Sequence, residues 1–130
     1  ADAQVPYDDA LPAVAALRER GAAVGLVTNT DATSLARLRR SYPVDDAFDA
    51  VVASCEVGAL KPAPAVFEAA LDRLDAPAAT AAMVGDSPRS DVGAARRLGM
   101  RAVLVDRDGE YGWVDHEPRV ADLTSLGDHV

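Results

Sequence analysis

Lysine is almost absent from this chain: Lys61 is the only one among 13 lysine and arginine residues. Cysteine is equally scarce. A lone Cys55 excludes an intramolecular disulfide and points to a reducing, cytoplasmic setting. Aromatic residues make up 5% of the chain, so the core has to be built from Ala, Val and Leu. No apolar run approaches the roughly 18 residues of a membrane helix, and no signal-peptide pattern is read at Ala1. Positive charge is in deficit, with a formal net charge of -8. That balance argues against nucleic acid or an anionic membrane as the main partner.

What is present is a regular alternation of helical and strand patterns over 130 residues, the length of one domain. Asp8 or Asp9 is placed to cap a helix through about Arg20, with Leu11, Val14 and Leu17 on one face and Gly21 as its stop. The apolar run Ala22 to Thr28 has the continuous hydrophobicity of a parallel strand buried on both faces. Thr30 or Asp31 can cap a second helix to about Arg40. Further along, the pattern predicts strands at 50–53, 81–84 and 101–105, helices at 64–74 and 91–98, and a short last strand near 120–123. Strands alternating with helices imply right-handed crossovers and a parallel sheet, hence a three-layer α/β sandwich.

In such a sheet, ligands sit at the carboxyl ends of the strands. Three polar loops fall there. Thr28-Asn29 combines a hydroxyl with exposed backbone N–H groups, which suits either an oxyanion or phosphate cradle or an ordinary helix cap. Ser54 to Pro64 carries Lys61, held extended by the proline that follows. An ammonium there can be a solvated loop charge or a bridge between a phosphate and a carboxylate. The third loop, Gly85-Asp86-Ser87-Pro88-Arg89-Ser90-Asp91, sets two carboxylates at a strand end, and they call for a cation. Ser90 or Asp91 as a helix cap accounts for one of the acidic positions and leaves Asp86 unexplained. Cys55 reads as a small buried filler rather than a nucleophile. Tyr111, Trp113 and His116 can rim a pocket or form an exposed contact surface.

Taken in order, these loops resemble those of the haloacid dehalogenase-like hydrolases. The segments are Val24-Gly25-Leu26-Val27-Thr28-Asn29, then Ser54 with Glu56, Gly58, Lys61, Pro62, Pro64 and Phe67, then Val84-Gly85-Asp86-Ser87 with Asp91, Gly93, Ala94, Gly99 and Met100. The resemblance implies an α/β/α, Rossmann-like parallel sheet spanning residues 1–130 as a single core domain, lacking the first strand and the cap. It implies Mg²⁺-dependent hydrolysis of a small phosphorylated metabolite through an aspartyl-phosphate. Thr28 and the Asn29 backbone would bind the phosphoryl group, and Lys61 would neutralise nucleophile and phosphate. Asp86 would bind Mg²⁺, and Asp91 would orient Lys61 or assist at the metal. Phosphoryl transfer depends mainly on positioning and charge neutralisation, which these residue types supply.

The family's nucleophile is an aspartate at the end of an apolar strand, in an Asp-x-Asp motif at the start of the fold. No such motif precedes Thr28. Val103-Leu104-Val105-Asp106-Arg107-Asp108 has the right look, but it follows Gly99-Met100, at a strand two places from where the nucleophile belongs. Two readings follow. One is the C-terminal part of a phosphatase or of a split active site. The other is a non-catalytic binding or regulatory module that still holds Mg²⁺ or phosphate. In the family's sheet order that first strand is central, so the resemblance implies that the strands ending at Thr28 and Val84 meet directly or that another chain fills the gap, with oligomerisation, strand swapping or repacking as the result. Dehalogenase chemistry is disfavoured because Gly85-Asp86 resembles the metal-binding version of the loop. A response-regulator receiver is disfavoured because its acidic cluster comes first along the chain.

Overall fold

The computed structural model describes residues 9–107, 109, 119–121 and 123. Helices lie on both faces of parallel strands. The first helix, α1, runs Ala10–Glu19 and leads to strand β1, Gly25–Thr28. Helices α2 (Ala32–Ser41) and α3 (Val44–Ala47) precede β2 (Ala50–Ala53). A single turn, α4 (Ser54–Val57), then gives way to α5 (Pro64–Leu74). A 3-10 turn at Ala78–Thr80 enters β3 (Ala82–Gly85). The π-helical segment Pro88–Gly93 continues into α6 (Ala94–Arg97). Strand β4 (Arg101–Val105) is followed by β5 (Arg119–Val120).

The strands form two parallel half-sheets. β1 pairs with β2, Thr28 opposite Ala53. β3 pairs with β4, and β4 with β5. Among the described residues no ladder joins β1 to β3. All four residues of each of these strands are only half-buried. Among the described residues each of these two strands is therefore paired along one edge only, β1 with β2 and β3 with β4.

Strand periodicity builds the core. In β2, Val51 and Ala53 face Leu35, Leu38 and Val44 of α2 and α3, while Val52 turns to Val66 and Ala70 of α5. In β4, Ala102 and Leu104 face Val92 and Ala95, and Val103 and Val105 face Leu17 of α1. Leu104 and Val52 are fully enclosed, and burial of such side chains contributes about 1.5–3 kcal/mol each. α1 touches both halves. Its Leu17 packs on β4. Its Arg18 donates to the carbonyls of Asp46 (2.7 Å) and Ala47 (2.8 Å) at the end of α3. Arg18 also pairs with Asp49 at 3.1 Å.

Several local expectations need revision. Asp9 occupies the cap position of α1 but makes no side-chain cap bond. Its carboxylate instead takes both guanidinium nitrogens of Arg107, at 3.0 and 2.8 Å, and the Leu123 N–H at 2.8 Å. A charge-assisted bidentate pair outcompetes a neutral N–H. Asp31 does cap α2, accepting from Ser34 N at 2.7 Å. Neither Ser90 nor Asp91 caps the helix after β3. Ser87 does, accepting from Ser90 N at 3.0 Å, and the helix starts at Pro88. The last strand is shifted to Arg119–Val120. Cys55 is exposed, not buried filler, because the single turn of α4 points it away from the sheet. Tyr111, Trp113 and His116 lie outside the described residues.

Candidate functional site

The site is built at the carboxyl ends of β1, β2 and β3. Thr28 ends β1, half-buried, with Asn29 exposed immediately after it. β2 ends at Ala53, and Ser54 opens α4 beneath the loop that follows β1. The Ser54 hydroxyl accepts from Thr30 N at 2.8 Å and donates to Thr30 O at 3.0 Å, fastening one loop to the other. The Thr30 hydroxyl is buried beside this contact and has no hydrogen-bond partner among the described residues.

α4 ends at Gly58, whose φ of +81° is the left-handed conformation that glycine adopts without a steric cost. The chain then turns back. Ala63 N donates to Leu60 O at 2.8 Å, enclosing Lys61 and Pro62 in a tight turn with a cis bond between them. The Asn29 carboxamide grips this turn, accepting from Lys61 N at 2.8 Å and donating to Lys61 O at 3.2 Å.

From that turn the Lys61 ammonium reaches Asp91 Oδ1 at 2.8 Å. The side chains are 15% and 5% exposed, so the pair is largely shielded from water. Asp91 is brought there by the π-helical segment, where the N–H groups of Asp91 and Val92 both donate to Ser87 O. Its second oxygen accepts from Ser87 N at 3.2 Å. Gly85 is required by this packing, since a Cβ there would collide with Asp91 Cβ, Cγ and Oδ2. Asp86, next along, is exposed and makes no hydrogen bond or ion pair with the described residues.

The structure thus brings Lys61 into direct contact with both Asn29 and Asp91, with Thr28 at the end of β1 and Asp86 just past the end of β3. Among the described residues no three carboxylate, His or Cys side chains gather as a metal cluster. Asp106 is 8% exposed and paired with Arg119 at 3.3 Å. Its backbone is tied to Val120 O at 2.8 Å. Asp106 thus follows the carboxyl end of β4 and is tied there to β5. The hollow lined by Arg39, Asp45, Phe48 and Arg73 lies at the opposite end of β2 from Ser54 and is no part of this site. Sequence reasoning gave no role to Ser54 or Ser87, and offered the Asn29 side chain only as part of a helix cap. The glycine immediately before Asp86 was the one available signal of a close approach.

A family model for haloacid dehalogenase-like hydrolases matches residues 1–99. A Mycobacterium tuberculosis protein named as a phosphatase is 38% identical over 93% of this chain and 54% of its own length. The phosphoserine phosphatase of Thermus thermophilus is 37% identical over 94% of this chain and 47% of its own. Among solved structures, a phosphatase of this family from Thermococcus onnurineus superposes with a TM-score of 0.85 at 33% identity, covering 94% of this chain and 56% of that one. A 2-haloacid dehalogenase from Pseudomonas syringae gives 0.78 at 27% identity, over 95% and 52%. The chain spans about half the length of the curated relatives it matches. No described helix is long and apolar enough to cross a membrane. With a model match over most of its length and relatives at this identity, the chain belongs to the haloacid dehalogenase-like hydrolase family.

Proposed function

We propose that this chain is the phosphate-binding and charge-neutralising part of a phosphatase, acting on a small phosphorylated metabolite. The observation that carries the reading is the shielded Lys61–Asp91 pair at the ends of two half-sheets. One cation held at a fixed point by a buried carboxylate is what a transferring phosphoryl group needs. Thr28 would offer a hydroxyl from the end of β1, and Asn29 a backbone N–H. The names of the relatives support phosphate chemistry over dehalogenation.

Asp86 has the chemistry of a Mg²⁺ ligand. It is an exposed carboxylate without a partner among the described residues, and Mg²⁺ favours one or two carboxylates completed by phosphate oxygens and water. Both oxygens of Asp91 are engaged, by Lys61 and by Ser87 N. That supports the orienting role for Asp91 over a ligand role. Bound there, Mg²⁺ would neutralise charge on the phosphoryl oxygens.

The attacking carboxylate, in this reading, arrives on a strand that pairs between β1 and β3. The half-buried edges of Gly25–Thr28 and Ala82–Gly85, with no ladder between them among the described residues, support it. That strand can belong to the same polypeptide or to another chain, and a second copy exchanging strands is one way to supply it.

The test is calorimetric titration of the folded chain with orthophosphate and Mg²⁺, beside an assay with 4-nitrophenyl phosphate. Phosphate binding that is lost in Lys61→Ala, without turnover by the isolated chain, is the expected result. Absence of phosphate binding by the wild type overturns the phosphatase reading. Turnover by the isolated chain overturns the supplied nucleophile.

A further inference from the structure

We infer that the Asn29 side chain is a positioning group for Lys61: it clasps the lysine's own peptide and so fixes where the ammonium starts its reach toward Asp91. The inference rests on the reading of Lys61 as the site's cation, and it assigns Asn29 a second role beyond its backbone N–H.

The geometry is specific. Asn29 Oδ1 accepts from Lys61 N at 2.8 Å and Nδ2 donates to Lys61 O at 3.2 Å. The pair of bonds imitates the exchange between two opposed residues of a β-ladder. Only one orientation of the carboxamide satisfies it, because the reversed amide would set its NH₂ group against an N–H. Asn29 is exposed, so hydrogen bonding and its seat at the end of β1, and not burial, hold it in place.

Lys61 is consequently held at both ends. Its backbone is gripped from the loop after β1, and its ammonium from the segment after β3. Those two loops belong to half-sheets that share no ladder among the described residues. Ser54 stiffens the same junction by binding Thr30 N and O, one residue past Asn29. The loop that offers Thr28 to a phosphoryl group and the turn that offers Lys61 therefore move as one body. Without the clasp, the turn from Leu60 to Ala63 keeps a single backbone bond across it, at 2.8 Å.

Lys61 is the only lysine, so an amine-reactive reagent reports on it alone once the N-terminal peptide is separated by mass spectrometry. The experiment measures the acetylation rate of Lys61 as a function of pH in folded wild type, Asn29→Ala, Asn29→Asp and Arg73→Ala. Two ordinary hydrogen bonds set the expected change at roughly tenfold. Asn29→Ala should label about that much faster. Asn29→Asp keeps the acceptor for Lys61 N and loses the donor to Lys61 O, so it should fall between. Arg73→Ala removes a bond to Val51 O at the far end of β2, destabilises the fold, and should leave the rate unchanged.

A wild-type rate in folded Asn29→Ala overturns the inference. An equal rise in Arg73→Ala does so too, because reactivity would then follow global stability. Should Asn29→Ala fail to fold, hydrogen exchange of the Lys61 amide in the wild type decides: protection supports the clasp, and exchange at the rate of an open loop overturns it. None of these readouts needs phosphate. If phosphate binding fails while the labelling order holds, the phosphatase reading falls and the clasp stands.

Discussion

Lys61 Nζ and Asp91 Oδ1, 2.8 Å apart, form an ion pair between two half-sheets that no described ladder connects. An ion pair this shielded is asymmetric in its energetics. Replacing both partners can be nearly neutral, whereas removing one leaves the other buried and uncompensated. Asp91→Asn should therefore lower stability by about 2–4 kcal/mol, near or just under the usual cost of breaking a buried pair. Lys61→Met, which removes the charge and keeps the stem, should cost less when introduced on top of Asp91→Asn than alone. A double-mutant cycle by urea denaturation measures this, and additivity of the two changes would show that the pair is not coupled.

Gly85 and Asp91 are in closer contact than any other side chain allows. A Cβ at position 85 would collide with three side-chain atoms of Asp91. The backbone there is a strand end, so the obstacle is volume and not φ. Gly85→Ala must push Asp91 off Lys61 or unfold the end of β3. It should cost about 1–3 kcal/mol, the usual range for overpacking. If the variant folds, faster Lys61 acetylation should accompany the loss. A Gly85→Ala protein with wild-type stability and wild-type labelling would contradict the packing.

Much of this was legible in the sequence because it depends on local pattern. Pro64 to Leu74 shows its helix through the proline at its start and the spacing of Val66, Phe67 and Ala70, and the observed bounds agree. Arg101 to Val105 shows its strand through a continuous apolar run. The three polar loops are placed at strand ends by alternation alone. What was not legible depends on competition between partners distant in sequence. Asp9 looks like a cap until Arg107, 98 residues on, takes its carboxylate. Ser54 looks like the start of a loop, and nothing local announces that its hydroxyl closes on Thr30. Asn29 reads as a cap residue or a phosphate contact, and its grip on Lys61 spans 32 residues. The π-helical turn that aims Asp91 has no distinct periodicity over so few residues.

Ser54 is 5% exposed, and its hydroxyl serves both backbone groups of Thr30. Ser54→Ala leaves that N–H and carbonyl without their partner in a part-buried place. The cost of an unsatisfied buried group is about 1–3 kcal/mol, and Ser54→Ala should fall in that range by thermal or urea unfolding. Ser54→Thr keeps the hydroxyl and should recover most of the loss if the extra methyl is accommodated. A fully stable Ser54→Ala would mean that water satisfies Thr30 equally well.

The Asp9–Arg107 pair gives the chain a pH dependence whose sign can be worked out. The carboxyl of Asp9 is held below its ordinary range first by the Arg107 hydrogen bonds and then by the Leu123 N–H. A carboxylate with a depressed pKa in the folded state stabilises the fold fully above its unfolded value, about 3.9. The contribution is lost as pH falls through the folded pKa. Asp9→Asn should cost about 1–2 kcal/mol at neutral pH, from the loss of a charge-assisted bidentate contact. The difference between wild type and Asp9→Asn should be constant at neutral pH and narrow only in acid, below about pH 4. Asp31, whose carboxyl is lowered by the backbone and side-chain hydrogen bonds of Ser34, shifts wild-type stability in the same direction. It is present in both proteins, so the comparison cancels it. Urea denaturation at a series of pH values checks the expectation, and a gap that widened in acid would reverse the assigned sign.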